Sequence, residues 1–109
     1  MTMATVHGDE ALLLDFDMEA NAVHKARLEA DGYTVTLVVN ADAALAFIEK
    51  TPPAIVFVET RPKASAARDF IQALRVSQFG LHIPVIILRT YLAETLEKKG
   101  LHSVRRDNW

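Results

Sequence analysis

The chain contains no cysteine, which excludes disulfide frameworks, thiolate metal sites and cysteine nucleophiles together. Its four glycines leave little material for a phosphate-cradling loop, and no Gly-rich motif is found. Neither sign of charge dominates: 12 basic and 14 acidic residues give a net charge of -2, so there is no electrostatic footprint for a nucleic-acid backbone or an anionic membrane. No apolar run reaches the roughly 18 to 20 residues that span a bilayer, and the N-terminus lacks the basic-then-apolar layout of a secretory signal. No Ser-His-Asp set is present, nor a pair of catalytic carboxylates with suitable partners. The four histidines, at 7, 24, 82 and 102, are irregularly spaced and read as surface or loop residues. No enzymatic activity, cofactor or resident metal is therefore expected. What remains is 109 residues, 50% of them apolar, enough for one buried core and too few for two domains. The expectation is one soluble, cytoplasmic domain over residues 11–109 behind a flexible leader, residues 1–10.

Hydrophobic periodicity divides the domain into alternating units. Ala11 to Leu14 is a short apolar run ended by Asp15-Phe16-Asp17. Asp17 is placed to cap a helix from Met18 to Asp31, whose Val23, Ala26 and Ala30 share one face and whose stop signal is Gly32. Tyr33 to Val39 is β-branched and partly alternating, as in a strand. Asn40 can cap a helix over 41–50 that Thr51-Pro52-Pro53 breaks. Ala54 to Val58 is too short for a helix and does not alternate, so it reads as a strand buried on both faces. Ala67, Phe70, Ile71 and Leu74 recur at helical spacing, and Gly80 closes that unit. Pro84 to Leu88 reads as a second doubly buried strand, with the proline at its first position. A short helix over 91–99 and a last strand from His102 to about Arg106 complete a βαβαβαβαβ pattern. Such alternation predicts a parallel sheet between helices.

In sheets of this kind, ligands bind beyond the carboxyl ends of the strands. That rule selects Asp15, Phe16 and Asp17 after the first strand, Glu59, Thr60 and Arg61 after the third, and Arg89 and Thr90 after the fourth. Clustered carboxylates there can hold a hard divalent cation or accept a phosphoryl group. They are equally consistent with a polar rim in which Asp17 caps a helix and Glu59 pairs with Arg89.

Leu12 to Asp17, the segment Leu-Glu-Ala-Asp-Gly-Tyr-Thr-Val at 28–35, Pro53 to Glu59 and His82 to Leu88 resemble the corresponding parts of bacterial response-regulator receiver domains. The resemblance covers about residues 11 to 107. It implies a flavodoxin-like α/β fold with a five-stranded parallel sheet in the order 2-1-3-4-5, and a place in two-component or phosphorelay signalling. It also implies chemistry that this chain does not match. The magnesium-holding acidic pair at the first strand falls on Asp15 and Phe16, so an aromatic ring replaces one ligand, and Asp17 could substitute only by giving up its cap. The phosphoacceptor aspartate falls on Glu59, one methylene too long for in-line transfer. The switch Ser/Thr falls on Arg89, with Thr90 one residue later. The lysine of the fifth strand falls near Asp107, where Arg105 and Arg106 do not replace it in kind. The resemblance thus implies a degenerate pseudo-receiver with no catalytic residue, in which a Glu59–Arg89 pair locks the site without phosphate.

Two differences in shape follow from the same comparison. The segment from Arg89 to Gly100 is about one helical turn short, which implies a stunted or displaced fourth helix. No final helix follows the fifth strand to cover strands 3 to 5 on the helix-1 face. That face, with Ile55, Phe57, Val85 and Ile87 and with Trp109 folding against it, is the expected interface. Burying about 500 Å² of apolar surface there contributes on the order of 12 kcal/mol before association costs. A homodimer is the expected state, with a helix of a signalling partner, or a longer chain, as the other ways to cover the face. The expected function is a phosphorylation-independent interaction module. The alternatives are a phosphorylatable receiver with a rearranged acidic site, and a sensor of a small ligand such as a cyclic dinucleotide, for which Arg105 and Arg106 are the only hint.

Overall fold

The structure, a computed structural model, describes residues 9–98, with side chains as far as Ala93. Four strands and four helices alternate along the described residues: β1 (Glu10–Asp15), α1 (Asn21–Ala30), β2 (Thr34–Val38), α2 (Ala41–Lys50), β3 (Ile55–Glu59), α3 (Ala64–Val76), β4 (Val85–Ile87) and α4 (Leu88–Lys98). The strands form one parallel sheet in the order β2-β1-β3-β4. This is the expected α/β sandwich for its first four strands. The fifth strand expected at 102–106 lies outside the described residues, as do Arg105, Arg106, Asp107 and Trp109.

Register fixes what each face of the sheet carries. Leu12 and Leu14 of β1 lie beside Val56 and Val58 of β3 and pack against Ala44 and Ile48 of α2 and Ala67, Phe70 and Leu74 of α3. Ala11 and Leu13 lie beside Ile55 and Phe57 on the other face, where Leu28 of α1 and Leu88 of α4 complete the core. Because β1 and β3 are covered on both sides, their sequences are apolar without alternation.

Local chemistry sets the element ends. The Asn40 Oδ1 accepts the Ala43 amide at 2.8 Å and starts α2. Gly32, at φ 106°, turns the chain from α1 into β2 in a conformation that a side chain strains. A Cβ on Gly80 would lie 1.9 Å from the Leu74 Cδ1, so glycine lets the loop after α3 close over that leucine.

Three expectations are corrected here. Val23, Ala26 and Ala30 do not form the buried face of α1; they are exposed, and Asn21 and Leu28 point inward. Helix α4 begins at Leu88, with no loop after a β4 of three half-buried residues, so Leu88, Arg89 and Thr90 belong to the helix. Lastly, the four strand residues expected on one uncovered face divide between two. Val85 pairs with Val56 and Ile87 with Val58, which places both on the α2/α3 side, while Ile55 and Phe57 lie on the α1 side with Ile86. The alternation of one strand does not disclose its parity relative to the next.

Over β3 the α1 side is not open. Helix α4 lies across it and buries Phe57 completely. Phe57 meets Tyr33 and Tyr91 edge-on, with ring centroids 5.2 and 5.1 Å away. The fourth helix, 11 residues long, thus lies on the α1 side of the sheet. It is tied there by Tyr91, whose hydroxyl donates a hydrogen bond to Asp31 at the end of α1.

Burial, then the hydrogen bond to Asp31 and the charge of that carboxylate, push the Tyr91 phenol well above the usual tyrosine range. The unfolded chain ionises this group near pH 10 while the folded chain keeps it protonated, so its contribution is intact below about pH 10 and lost as pH rises further. Tyr91→Phe is expected to flatten the alkaline loss of stability, measured by urea unfolding between about pH 8 and about pH 11. Burial also raises Tyr33, which leaves a residual slope in the variant.

Candidate functional site at the carboxyl ends of β1 and β3

Strands β1 and β3 end on acids that are direct partners in the ladder, Asp15 and Glu59. Neighbours in a parallel ladder share a face, and adjacent strands are about 4.8 Å apart. Two carboxylates are therefore held side by side by backbone geometry alone. Asp15 is fully buried and Glu59 is 6% exposed. Each needs compensation from within the chain, since a buried charge without a partner costs several kcal/mol.

The compensation comes from a different helix for each acid. Asp15 Oδ2 lies 2.6 Å from the Nδ1 of His24 in α1, in position for Nδ1–H to donate, and its Oδ1 accepts the Asp17 amide at 3.0 Å. Glu59 Oε2 accepts the Arg61 amide at 2.9 Å and lies 3.7 Å from the Nη2 of Arg89 in α4. The Glu59–Arg89 pair expected from the sequence is present, as a long contact with a half-exposed arginine. The Asp15–His24 pair was not expected. From the sequence His24 reads as a surface histidine, but its side chain is 20% exposed and serves a fully buried carboxylate. A lone histidine nine residues after an aspartate carries almost no signal until the helix folds back along the strand.

The side chains of Asp17, Phe16 and Thr90 do not join these two pairs. Asp17 Oδ1 accepts the Glu19 and Ala20 amides at 3.1 and 3.2 Å, and its carbonyl accepts the Asn21 amide. It closes the turn ahead of α1 but is not the expected N-cap of a helix from Met18: α1 starts at Asn21 behind Ala20, with no side-chain capping bond. Phe16 is half-buried and packs with the α2/α3 core. Thr90 is exposed in the first turn of α4. Among the described residues no group of three His, Asp or Glu side chains is arranged to hold a metal ion.

No protein-family model matches the chain, and no curated protein sequence does. Solved structures do match. The N-terminal domain of a response regulator receiver protein from Methanoculleus marisnigri JR1 superposes with a TM-score of 0.65 at 16% identity, covering 90% of this chain and 98% of that one. The pseudo-receiver domain of the CikA protein matches at 0.59 and 27% identity over 72% and 66% of the two chains. A response regulator from Desulfuromonas acetoxidans matches at 0.58 and 24% identity over 84% and 77%. The chain has the fold of response-regulator receiver and pseudo-receiver domains.

The two pairs differ in how far solvent screens them, and this separates their expected contributions. His24→Ala, which leaves Asp15 buried without its partner, is expected to cost about 2 to 4 kcal/mol in urea unfolding. Arg89→Ala, at a long contact open to water, is expected to cost less than about 1 kcal/mol. Equal losses would contradict the assignment of Asp15 as the more costly buried charge.

Proposed function

We propose that this domain is a receiver-like signalling module that does not take up phosphate and acts by binding protein partners, including copies of itself. The observation that carries this reading is the state of Glu59. The residue at the family's phosphoacceptor position is a glutamate, already engaged by the Arg61 amide and the Arg89 guanidinium. An acid occupied in this way, one methylene longer than aspartate, resembles a fixed charge more than an acceptor. Phe16 in place of an acid and Asp17 committed to its turn support the same reading, because both subtract from a magnesium site. A structural neighbour described as a pseudo-receiver domain is in keeping with it. On this reading the domain performs no catalysis, needs no cofactor, and belongs to cytoplasmic two-component-type signalling.

The competing reading is a receiver that takes phosphate through a rearranged acidic site. Asp15 and Glu59 side by side are the observation in its favour. Incubation with a small phosphodonor and magnesium, followed by intact-mass measurement, separates the two. An unchanged mass is expected. A phosphoryl adduct of about 80 Da, the mass that phosphorylation adds, would overturn the proposal.

A further inference from the structure

Helix α1 is built with its polar side toward the protein and its apolar side toward water. Asn21, Leu28 and half-buried His24 and Arg27 face inward, where His24 serves Asp15 and Arg27 approaches Asp31 at 3.9 Å. Outward lie Ala22, Val23, Ala26 and Ala30, with Met18 preceding them in the turn; Met18 and Val23 are each 69% exposed. Residues at 22, 26 and 30 fall on one line along a helix, and 23 lies beside it. This is the arrangement of a helix that expects a second apolar surface. The inward face is fixed by the buried charge of Asp15, so α1 cannot rotate to hide its alanines.

We propose that this outer face of α1 is a self-association surface, on which α1 of a second copy packs antiparallel about a twofold axis near Ala26. Self-complementarity of charge singles out a second copy as the occupant. Lys25 and Glu29 lie along one border of the stripe, 2.6 Å apart within the helix. An antiparallel pairing centred near Ala26 sets Ala22 opposite the partner's Ala30 and Lys25 within a turn of the partner's Glu29. One surface thereby supplies both halves of an isologous contact. Alanines along the seam let the two backbones approach closely, and Val23 closes one border. The inference rests on the reading of the domain as an interaction module and moves the contact from the sheet face, which α4 covers over β3, to α1.

A ten-residue helix is about 15 Å long, and its stripe falls well short of the roughly 800 Å² per partner of a standard interface. The dimer is accordingly weak, with a dissociation constant on the order of 100 µM. Sedimentation velocity from about 10 µM to about 1 mM, spanning that constant, is expected to show the mass rising from one chain toward two. Ala26→Glu, a change at an exposed position, is expected to abolish the rise while leaving the circular dichroism spectrum and thermal midpoint unchanged. Lys25→Glu alone is expected to weaken association, and Lys25→Glu with Glu29→Lys to restore it. A single-chain mass across the range, or a dimer indifferent to Ala26→Glu, would overturn the inference. Its failure is distinct from failure of the reading as a module that takes up no phosphate, which the intact-mass measurement tests in the same preparation.

Discussion

Two acids at adjacent strand ends constrain much of the rest of the domain. The register of β1 with β3 brings Asp15 and Glu59 together before any side chain chooses a partner. Both are buried or nearly so, on the same face of the sheet. Like charges at that separation repel, and neither has bulk water around it. The chain meets the constraint with one group from each of two helices, His24 from α1 and Arg89 from α4. The orientation of α1 follows from this. The turn that carries His24 to Asp15 also turns Val23, Ala26 and Ala30 outward.

The same constraint bears on α4. Leu88 enters the core directly after β4, and Arg89 in the next position reaches Glu59. Two residues on, Tyr91 stacks edge-on against Phe57 and donates to Asp31. Core packing, an ion pair and a hydrogen bond to the end of α1 therefore come from four consecutive residues. That density lets a helix running directly from a three-residue strand cover the α1 side of the sheet over β3.

Much of this fold was legible in the sequence and part of the site was not. The strands were readable because β1 and β3 are buried on both faces, and continuous apolar runs of that length admit few other readings. Asn40 and Gly32 marked element ends for local reasons that need no tertiary context. Three features depended on contacts distant in sequence. Apolar periodicity points the wrong face of α1 inward because it assumes that burial follows hydrophobicity, whereas a buried carboxylate selects His24. The face that Val85 and Ile87 occupy is not legible because period-two alternation leaves the relative parity of two strands open. The start of α4 was misplaced because Leu88 suits a strand and a buried helix start equally well. The Glu59–Arg89 pair is legible because Glu59 ends β3 and Arg89 follows the neighbouring strand β4 by two residues, so strand adjacency alone brings them close even though Arg89 lies in α4.

The central claim is that the acidic edge is satisfied by the chain's own side chains and has no remaining demand for a cation. Magnesium titration followed by amide NMR tests it most directly, because the Asp17 and Arg61 amides donate to Asp15 and Glu59 and report on both carboxylates. The account predicts that these two resonances move no more than they do in a sodium control of equal ionic strength. A saturable shift of either amide with magnesium would contradict it.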